Sequence, residues 1–90
     1  MSLRLLVLSS PDPTITFLDL CEGVSVAGRD AGRELYLPSA KVSRRHCSFE
    51  VKGGQVVVRD LGSANGVVVE GQKIREAILA IGQRIQLGDY

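Results

Sequence analysis

The stretch that decides the fold runs from Val42 to Gly66 and reads VSRRHCSFEVKGGQVVVRDLGSANG. Apolar and polar residues alternate from Cys47 to Lys52, and Gly53-Gly54 separates this run from the valine-rich run 55–61. Such alternation is typical of a β-strand with one buried face. Two adjacent glycines supply the positive φ values that a two-residue hairpin turn needs. The sequence therefore predicts a β-hairpin.

Two polar loops flank this hairpin. The segment Ser43-Arg44-Arg45-His46 precedes its first strand, and the segment 60–66 follows its second. In an antiparallel hairpin these two segments emerge at the same end. Loops held by a rigid β scaffold are where binding residues are usually found. We therefore expect a recognition site at this pole of the domain.

Short apolar runs, separated by turn residues, continue on both sides of the hairpin. No window long enough for a stable helix has a 3.6-residue period, and the best candidate, 75–81, is too short. Residues 19–23 are predicted to form a turn. This pattern predicts an antiparallel β-sandwich of about ten to eleven short strands. The runs interpreted as strands, besides the hairpin, are 3–8, 14–18, 24–29, 35–37, 67–69, 72–74 and the apolar segments between 79 and 87.

The composition limits the kind of partner. The 90 residues fit one domain, and eleven basic against ten acidic residues give a net charge of +1. This balance argues against a general nucleic-acid or membrane binder. Residues 29–45 nevertheless carry five basic and two acidic residues, a net charge of +3. The patch is interpreted either as a solvated loop or as an anion site.

The cysteines and the chain ends indicate the compartment. Cys21 and Cys47 are too few for a disulfide framework or a zinc site, and we interpret both as buried thiols in a reducing compartment. No signal peptide or membrane span is recognisable. We therefore expect a cytoplasmic location, with no metal and no cofactor.

Three motifs, in this order and spacing, carry a resemblance to a known family. They are Gly28-Arg29, Ser43-Arg44-Arg45-His46 and Ser63-Ala64-Asn65-Gly66. Together with Asp60-Leu61-Gly62-Ser63 and the final run 85–88, they resemble the forkhead-associated (FHA) domain over residues 24–88. The resemblance implies a β-sandwich whose loops bind phosphothreonine peptides.

The resemblance also assigns roles to individual residues. It implies phosphopeptide binding by Arg29, Ser43, Arg44, Ser63 and Asn65, with structural support of the site by Gly28, His46 and Gly66. The chemistry suits these residue types, since phosphothreonine carries about −1.5 to −2 charge and three acceptor oxygens. An arginine fork can bind two oxygens at once, a serine hydroxyl can donate to a third, and an asparagine amide can pair with the peptide backbone. Three of these residues also have a plainer interpretation: Arg29 as a surface ion pair with Asp30 or Glu34, Ser43 as a turn cap, and Asn65 as the first residue of a turn.

The sequence departs from the family pattern in several places. Ala64 stands where the family often has Thr, so one hydroxyl near the phosphate is missing. Glu70-Gly71 and Gln83 differ at turns outside the site. The family has eleven strands, and the last would follow Asp89. Residues 1–90 are therefore expected to form a single FHA-like domain whose final strand lies beyond Tyr90, unless another element takes its place.

Three functions follow from this interpretation. The first is a non-enzymatic reader of a phosphothreonine-containing partner protein. The second is a phosphate-independent interaction or self-association module of the same fold. The third is a small hydrolase using Ser43 and His46, which the absence of a Gly-x-Ser-x-Gly elbow and of an orienting acid disfavours.

Overall fold

Ten short strands make up the chain in its computed structural model, which describes residues 3–8, 15–20, 22–30, 32, 34–80, 82–88 and 90. Residues 3–8 and 15–18 are described by their backbone alone. The described residues contain no helix, so the all-β prediction is confirmed. The strands are β1 (Leu3–Leu8), β2 (Ile15–Leu20), β3 (Gly23–Gly28), β4 (Leu35–Tyr36), β5 (Cys47–Lys52), β6 (Gln55–Asp60), β7 (Val67–Val69), β8 (Gln72–Ile74), β9 (Glu76–Leu79) and β10 (Ile85–Leu87).

The strands form three sheets. One has five strands in the order β4-β3-β5-β6-β9, one has three in the order β10-β7-β8, and β1 pairs with β2. All pairings are antiparallel except that of β3 with β4. The parallel pair was not expected. It involves only two residues of each strand, and the Leu37 N–H extends it by donating to the Gly28 carbonyl at 2.8 Å.

The core lies between the five-stranded and the three-stranded sheets. Phe49 and Val58 face inward from the central strands of the larger sheet, and Val67 and Leu87 face them from the smaller one. These side chains are aliphatic apart from one phenylalanine. Burying such apolar surface is the main force that holds the two layers together.

The central hairpin agrees with the prediction. β5 and β6 pair from Cys47 opposite Asp60 to Lys52 opposite Gln55. Gly53 and Gly54 have φ values of 58° and 79°, as a two-residue turn with two positive φ values requires. The register fixes the two flanking loops at the opposite end of this hairpin.

The turn predicted over residues 19–23 was wrong in part. β2 continues to Leu20 instead of turning at Asp19, and in its register Asp19 is opposite Arg4 and Leu20 opposite Leu3, so pairing extends to the end of β1. Residues 75–81, which are too short for a predicted helix, contain β9. Pairing with β6 decides this, since β9 adds its backbone hydrogen bonds to the edge of the larger sheet.

An ion-pair network on the outer face ties β9 to the hairpin. Arg59 Nη1 lies 2.6 Å from Glu50 Oε1, and its Nε lies 3.2 Å from Glu76 Oε1. The hydrogen bond that Arg59 donates to Glu50, together with the charge of Arg59, lowers the pKa of Glu50, and the same hydrogen bond raises the pKa of Arg59. All three side chains are accessible to solvent, so we expect the network to define register more than to add stability.

The chain reverses direction after β10. The Leu87 N–H donates to the Tyr90 carbonyl and the Tyr90 N–H donates to the Leu87 carbonyl, both at 2.9 Å. Reciprocal bonds of this kind close a two-residue hairpin turn. Tyr90 also packs against the core. Tyr90 therefore lies beside β10 in antiparallel orientation, on the edge away from β7.

Cys47 is a fully buried free thiol, and Cys21 lies outside the described residues. Burial, followed by the nearby Asp60 carboxylate, raises the pKa of Cys47 to about 12. In the part of the chain that the structure describes, no helix is capable of crossing a membrane. The same residues contain no group of three or more histidine, cysteine or acidic side chains that could hold a metal ion.

Candidate functional site

The two polar loops meet at one end of the domain, and His46 joins them. Its side chain is fully buried. Nδ1 accepts a hydrogen bond from the Ser43 N–H at 3.0 Å, and Nε2 lies 2.7 Å from the Gly66 carbonyl. Since a backbone N–H can only donate, Nδ1 is unprotonated and the proton on Nε2 is donated to Gly66. The main chain of His46 also bonds to Ala27 and Leu61.

These contacts leave His46 no role as a base toward Ser43. Both ring nitrogens are already bonded to backbone groups. The Ser43 hydroxyl instead accepts a hydrogen bond from the Ala64 N–H at 3.0 Å. A nucleophilic pair would require the ring nitrogen to face the hydroxyl. In this fold the His46 ring instead joins the two polar loops through its hydrogen bonds.

Gly28 allows the first motif to approach the second loop. A Cβ at this position would overlap the carbonyl oxygen of Arg44 and lie 3.0 Å from that of Ser43. The Arg29 N–H donates to the Ser43 carbonyl at 2.9 Å, and the Asp30 N–H donates to the Arg44 carbonyl at 3.3 Å. The backbone after β3 therefore lies directly against the loop that carries Ser43.

The Arg29 side chain is fixed at its base and open at its tip. Nε donates to the Val42 carbonyl at 3.0 Å. Within the described residues, the two terminal nitrogens make no hydrogen bond, and the residue is exposed. Four N–H groups of one planar fork remain available for an anion.

Ser43 keeps its hydroxyl proton available. Its Oγ accepts from the Ala64 N–H, and among the described residues the hydroxyl donates no hydrogen bond, so its proton can be donated to a ligand. Ser63, the second serine predicted to bind the peptide, is arranged differently. Its hydroxyl donates to Asp60 Oδ1 at 2.6 Å and accepts from the Gly66 N–H at 2.9 Å, while its own N–H also donates to Asp60. Ser63 thus organises the loop from within.

Asn65 is exposed and held in one orientation. Its Nδ2 donates to the Lys41 carbonyl at 2.7 Å, which places its oxygen on the other side of the amide. The next residue, Gly66, has a φ of +79° that favours glycine. The Asn65 oxygen is thereby presented by a loop whose shape is fixed on both sides.

Exposed cations surround this pole. Arg44 and Arg45 are exposed on the first loop, with Lys41 just before it. An open depression of about 340 Å³ borders the loops and is lined by Lys41, Asn65, Gly66, Val68, Gln86 and Gly88. The geometry therefore combines an open arginine fork, a free hydroxyl proton and an oriented amide on one basic surface, which is suited to a phosphorylated, extended ligand.

Sequence reasoning did not identify several supporting groups. The Lys41 carbonyl, the Ala64 N–H and the Asp60 carboxylate each fix one loop residue. The first two are backbone atoms, which carry no residue-type signal. Asp60 did carry a signal, since an aspartate three residues before a serine, with a glycine between them, is a common turn arrangement.

Comparison with known proteins agrees with this geometry. The sequence profile of the FHA domain matches residues 26–88. The glycogen accumulation regulator GarA of Mycolicibacterium smegmatis is 36% identical over 89 residues, which span 99% of this chain and 56% of that protein. This chain belongs to the FHA domain family.

Solved structures show the same fold. A structure described as a structural and functional analysis of phosphothreonine-dependent FHA domain interactions superposes with a TM-score of 0.85 at 32% identity, and covers 99% of this chain and 90% of that one. Mycobacterium tuberculosis EmbR, in complex with a low-affinity phosphopeptide, gives 0.82 at 30% identity, with 96% and 22% covered. The chain spans about half the length of curated relatives such as GarA, at 54–56%.

Proposed function

We propose that this chain is a non-enzymatic module that binds phosphothreonine-containing segments of partner proteins. One observation carries the proposal: the Arg29 fork is fixed at Nε and open at its tip, while its backbone N–H is bonded to Ser43, whose hydroxyl proton is free. These groups supply the charge and the neutral donor that a phosphate needs. Relatives that are described as phosphothreonine-dependent or in complex with a phosphopeptide support it.

Each site residue has a part in this proposal. Arg29 and Ser43 bind the phosphate, Arg44 adds a second cation beside it, and the Asn65 amide pairs with the peptide backbone. Gly28, His46 and Gly66 hold the loops in place. We assign Ser63 to this supporting group as well, because its hydroxyl proton is committed to Asp60.

The mode of action and the compartment of the domain follow from the same reasoning. The module acts by binding its partner and not by catalysis, in keeping with the relative GarA, which is named as a regulator of glycogen accumulation. The buried free thiol Cys47 suits a reducing compartment, so we place the domain in the cytoplasm.

Binding of an oriented phosphothreonine peptide library to the immobilised protein tests this function. The same library is also applied after dephosphorylation, and with glutamate in place of phosphothreonine. We expect retention of the phosphorylated library alone, because a carboxylate offers fewer oxygens and less charge. Equal retention of all three libraries would favour the phosphate-independent module.

A further inference from the structure

Lys73 brings a cation to the site from a different sheet. It lies on β8, is exposed, and is paired in register with Val68 of β7. Its stem crosses Gly66: a Cβ at residue 66 would overlap Lys73 Cε and lie 3.3 Å from both its Cδ and its Nζ. Long side chains on a strand reach the diagonal neighbour two residues along the partner strand, and Gly66 is that neighbour. The missing side chain at Gly66 leaves room for Lys73 to reach the loop of Asn65.

The Lys73 ammonium group has no carboxylate beside it in the described part of the chain. The side-chain ion pairs found there join Arg59 to Glu50 and Glu76, on the larger sheet. Lys73 adjoins the depression whose lining includes Gly66, Val68 and Gln86. A cation without a neighbouring carboxylate, beside a depression that Lys41 also lines, favours binding of an anionic group.

The loop geometry sets the distance between this cation and the phosphate donors. Ala64 contacts the Ser43 hydroxyl, and Gly66 contacts Lys73. Two residues of chain span at most about 7 Å, and an extended peptide advances about 3.3 Å per residue. With the reach of the lysine stem, the cation lies within roughly three peptide positions of the phosphothreonine.

We propose that Lys73 binds an Asp or Glu side chain of the same ligand, within roughly three positions of the phosphothreonine. This inference rests on the proposed function, and it makes the module selective for acidic phosphothreonine segments. Asn65 lies between the two anion contacts and binds the intervening backbone.

A purely structural role for Lys73 can be distinguished from a role in anion binding by removing the charge and keeping the stem. The stem covers Gly66 by van der Waals contact alone, and such a contact depends on methylene groups, not on charge. Lys73→Met keeps an unbranched stem and removes the charge. Lys52→Met is the matched control, since Lys52 is an exposed lysine at the turn end of the central hairpin, opposite the two loops.

The experiment titrates the 90-residue protein with phosphothreonine peptides in an alanine background, with one Asp moved through the positions on either side of the phosphothreonine. For the unmodified protein we expect Asp to raise affinity about two- to fivefold at one or two neighbouring positions, the size of an exposed ion pair. Lys73→Met should abolish this gain while affinity for the Asp-free peptide changes less than about twofold. Lys73→Glu should turn the gain into a loss, and Lys52→Met should leave it intact.

Three outcomes would overturn the inference. The first is an affinity that does not depend on the position of Asp, and the second is a gain from Asp that survives Lys73→Met. In both cases, phosphate-dependent binding of the Asp-free peptide would still support the proposed function. If the unmodified protein bound no phosphothreonine peptide, both the inference and the proposed function would fail.

Discussion

His46 is the residue on which the largest number of site contacts converge. Its ring bonds to Ser43 and Gly66, and its backbone bonds to Ala27 and Leu61. It therefore links β3, the loop before β5 and the loop after β6. Because the ring is fully buried, removing the side chain leaves these backbone groups without their native partners.

Replacing His46 by Ala should lower stability and binding together. The change leaves the Ser43 N–H and the Gly66 carbonyl without partners, at a cost of about 2–5 kcal/mol. For a domain of this size, that lowers the melting temperature by roughly 10 °C or more. Calorimetric melting and peptide titration measure both effects, with the exposed Arg45→Ala as control. Unchanged melting with abolished binding would instead make His46 a direct ligand.

Two serines in similar motifs have different roles because of their hydrogen bonds. The Ser43 hydroxyl accepts from a backbone N–H and keeps its proton, whereas the Ser63 hydroxyl gives its proton to Asp60. The sequence motif could predict that both serines lie near the site, but not which proton is free. That distinction depends on Asp60 and Ala64, which the fold brings to the two hydroxyls.

The end of β3 is the strand terminus that the site depends on most. Gly28 lies against the carbonyl oxygens of Arg44 and Ser43, which allows Arg29 to pair with the neighbouring loop. A larger residue would push the loop away from β3.

Gly28→Ala should therefore destabilise the domain and weaken phosphopeptide binding. The added Cβ meets backbone atoms that cannot rotate away, so we expect a loss of about 1–3 kcal/mol. Gly32→Ala is the matched control, because a Cβ there meets nothing within 4 Å. Chemical denaturation of the two variants gives the stability difference. Equal stability of both would contradict the close approach at Gly28.

The elements differ in how far the sequence predicted them. The central hairpin was predictable because Gly53-Gly54 and the alternation around it act locally. β9 was not, since residues Glu76–Leu79 are too few to show a period and become a strand only by pairing with β6. The contact of Lys73 with Gly66 was equally hidden, because it depends on the diagonal register between β7 and β8.

Because the Cys47 thiol is buried, we expect the stability of the whole domain to depend on pH in the alkaline range. Burial raises the pKa of Cys47 from 9.0 to about 12. Between these values the unfolded chain loses the proton while the folded chain retains it. Stability is therefore fully retained below about pH 9 and should fall by about 1.4 kcal/mol per pH unit above it.

Cys47→Ala should remove this part of the pH dependence. Denaturation of both proteins between pH 8 and pH 11 gives the slope of the unfolding free energy against pH for each. The cavity left by Ala lowers stability equally at every pH, and the other alkaline titrations occur in both proteins, so neither affects the difference between the slopes. Stability curves that run parallel over the whole range would contradict the assigned cause.

We expect association of the molecule to depend on the edge of β10 away from β7, which Tyr90 covers only in part among the described residues. Tyr90 already pairs with Leu87 on that side, and an unpaired strand edge invites another strand. We expect residues 1–90 to self-associate more than a form extended after Tyr90 by about ten residues, a turn plus a typical strand. Sedimentation velocity over a concentration series distinguishes them. If both forms were monomeric over the whole series, the prediction would be contradicted.

Phosphate recognition by Arg29 is the central claim, and isothermal calorimetry with one peptide tests it most directly. The peptide is titrated with and without its phosphate into the unmodified protein, Arg29→Ala, Arg29→Lys and Arg45→Ala. We predict phosphate-dependent binding that Arg29→Ala weakens at least roughly tenfold, or about 1.4 kcal/mol. Arg29→Lys should recover only part, because the fork is lost, and Arg45→Ala should have little effect. Equal affinity for both peptide forms, or full affinity in Arg29→Ala, would contradict the account.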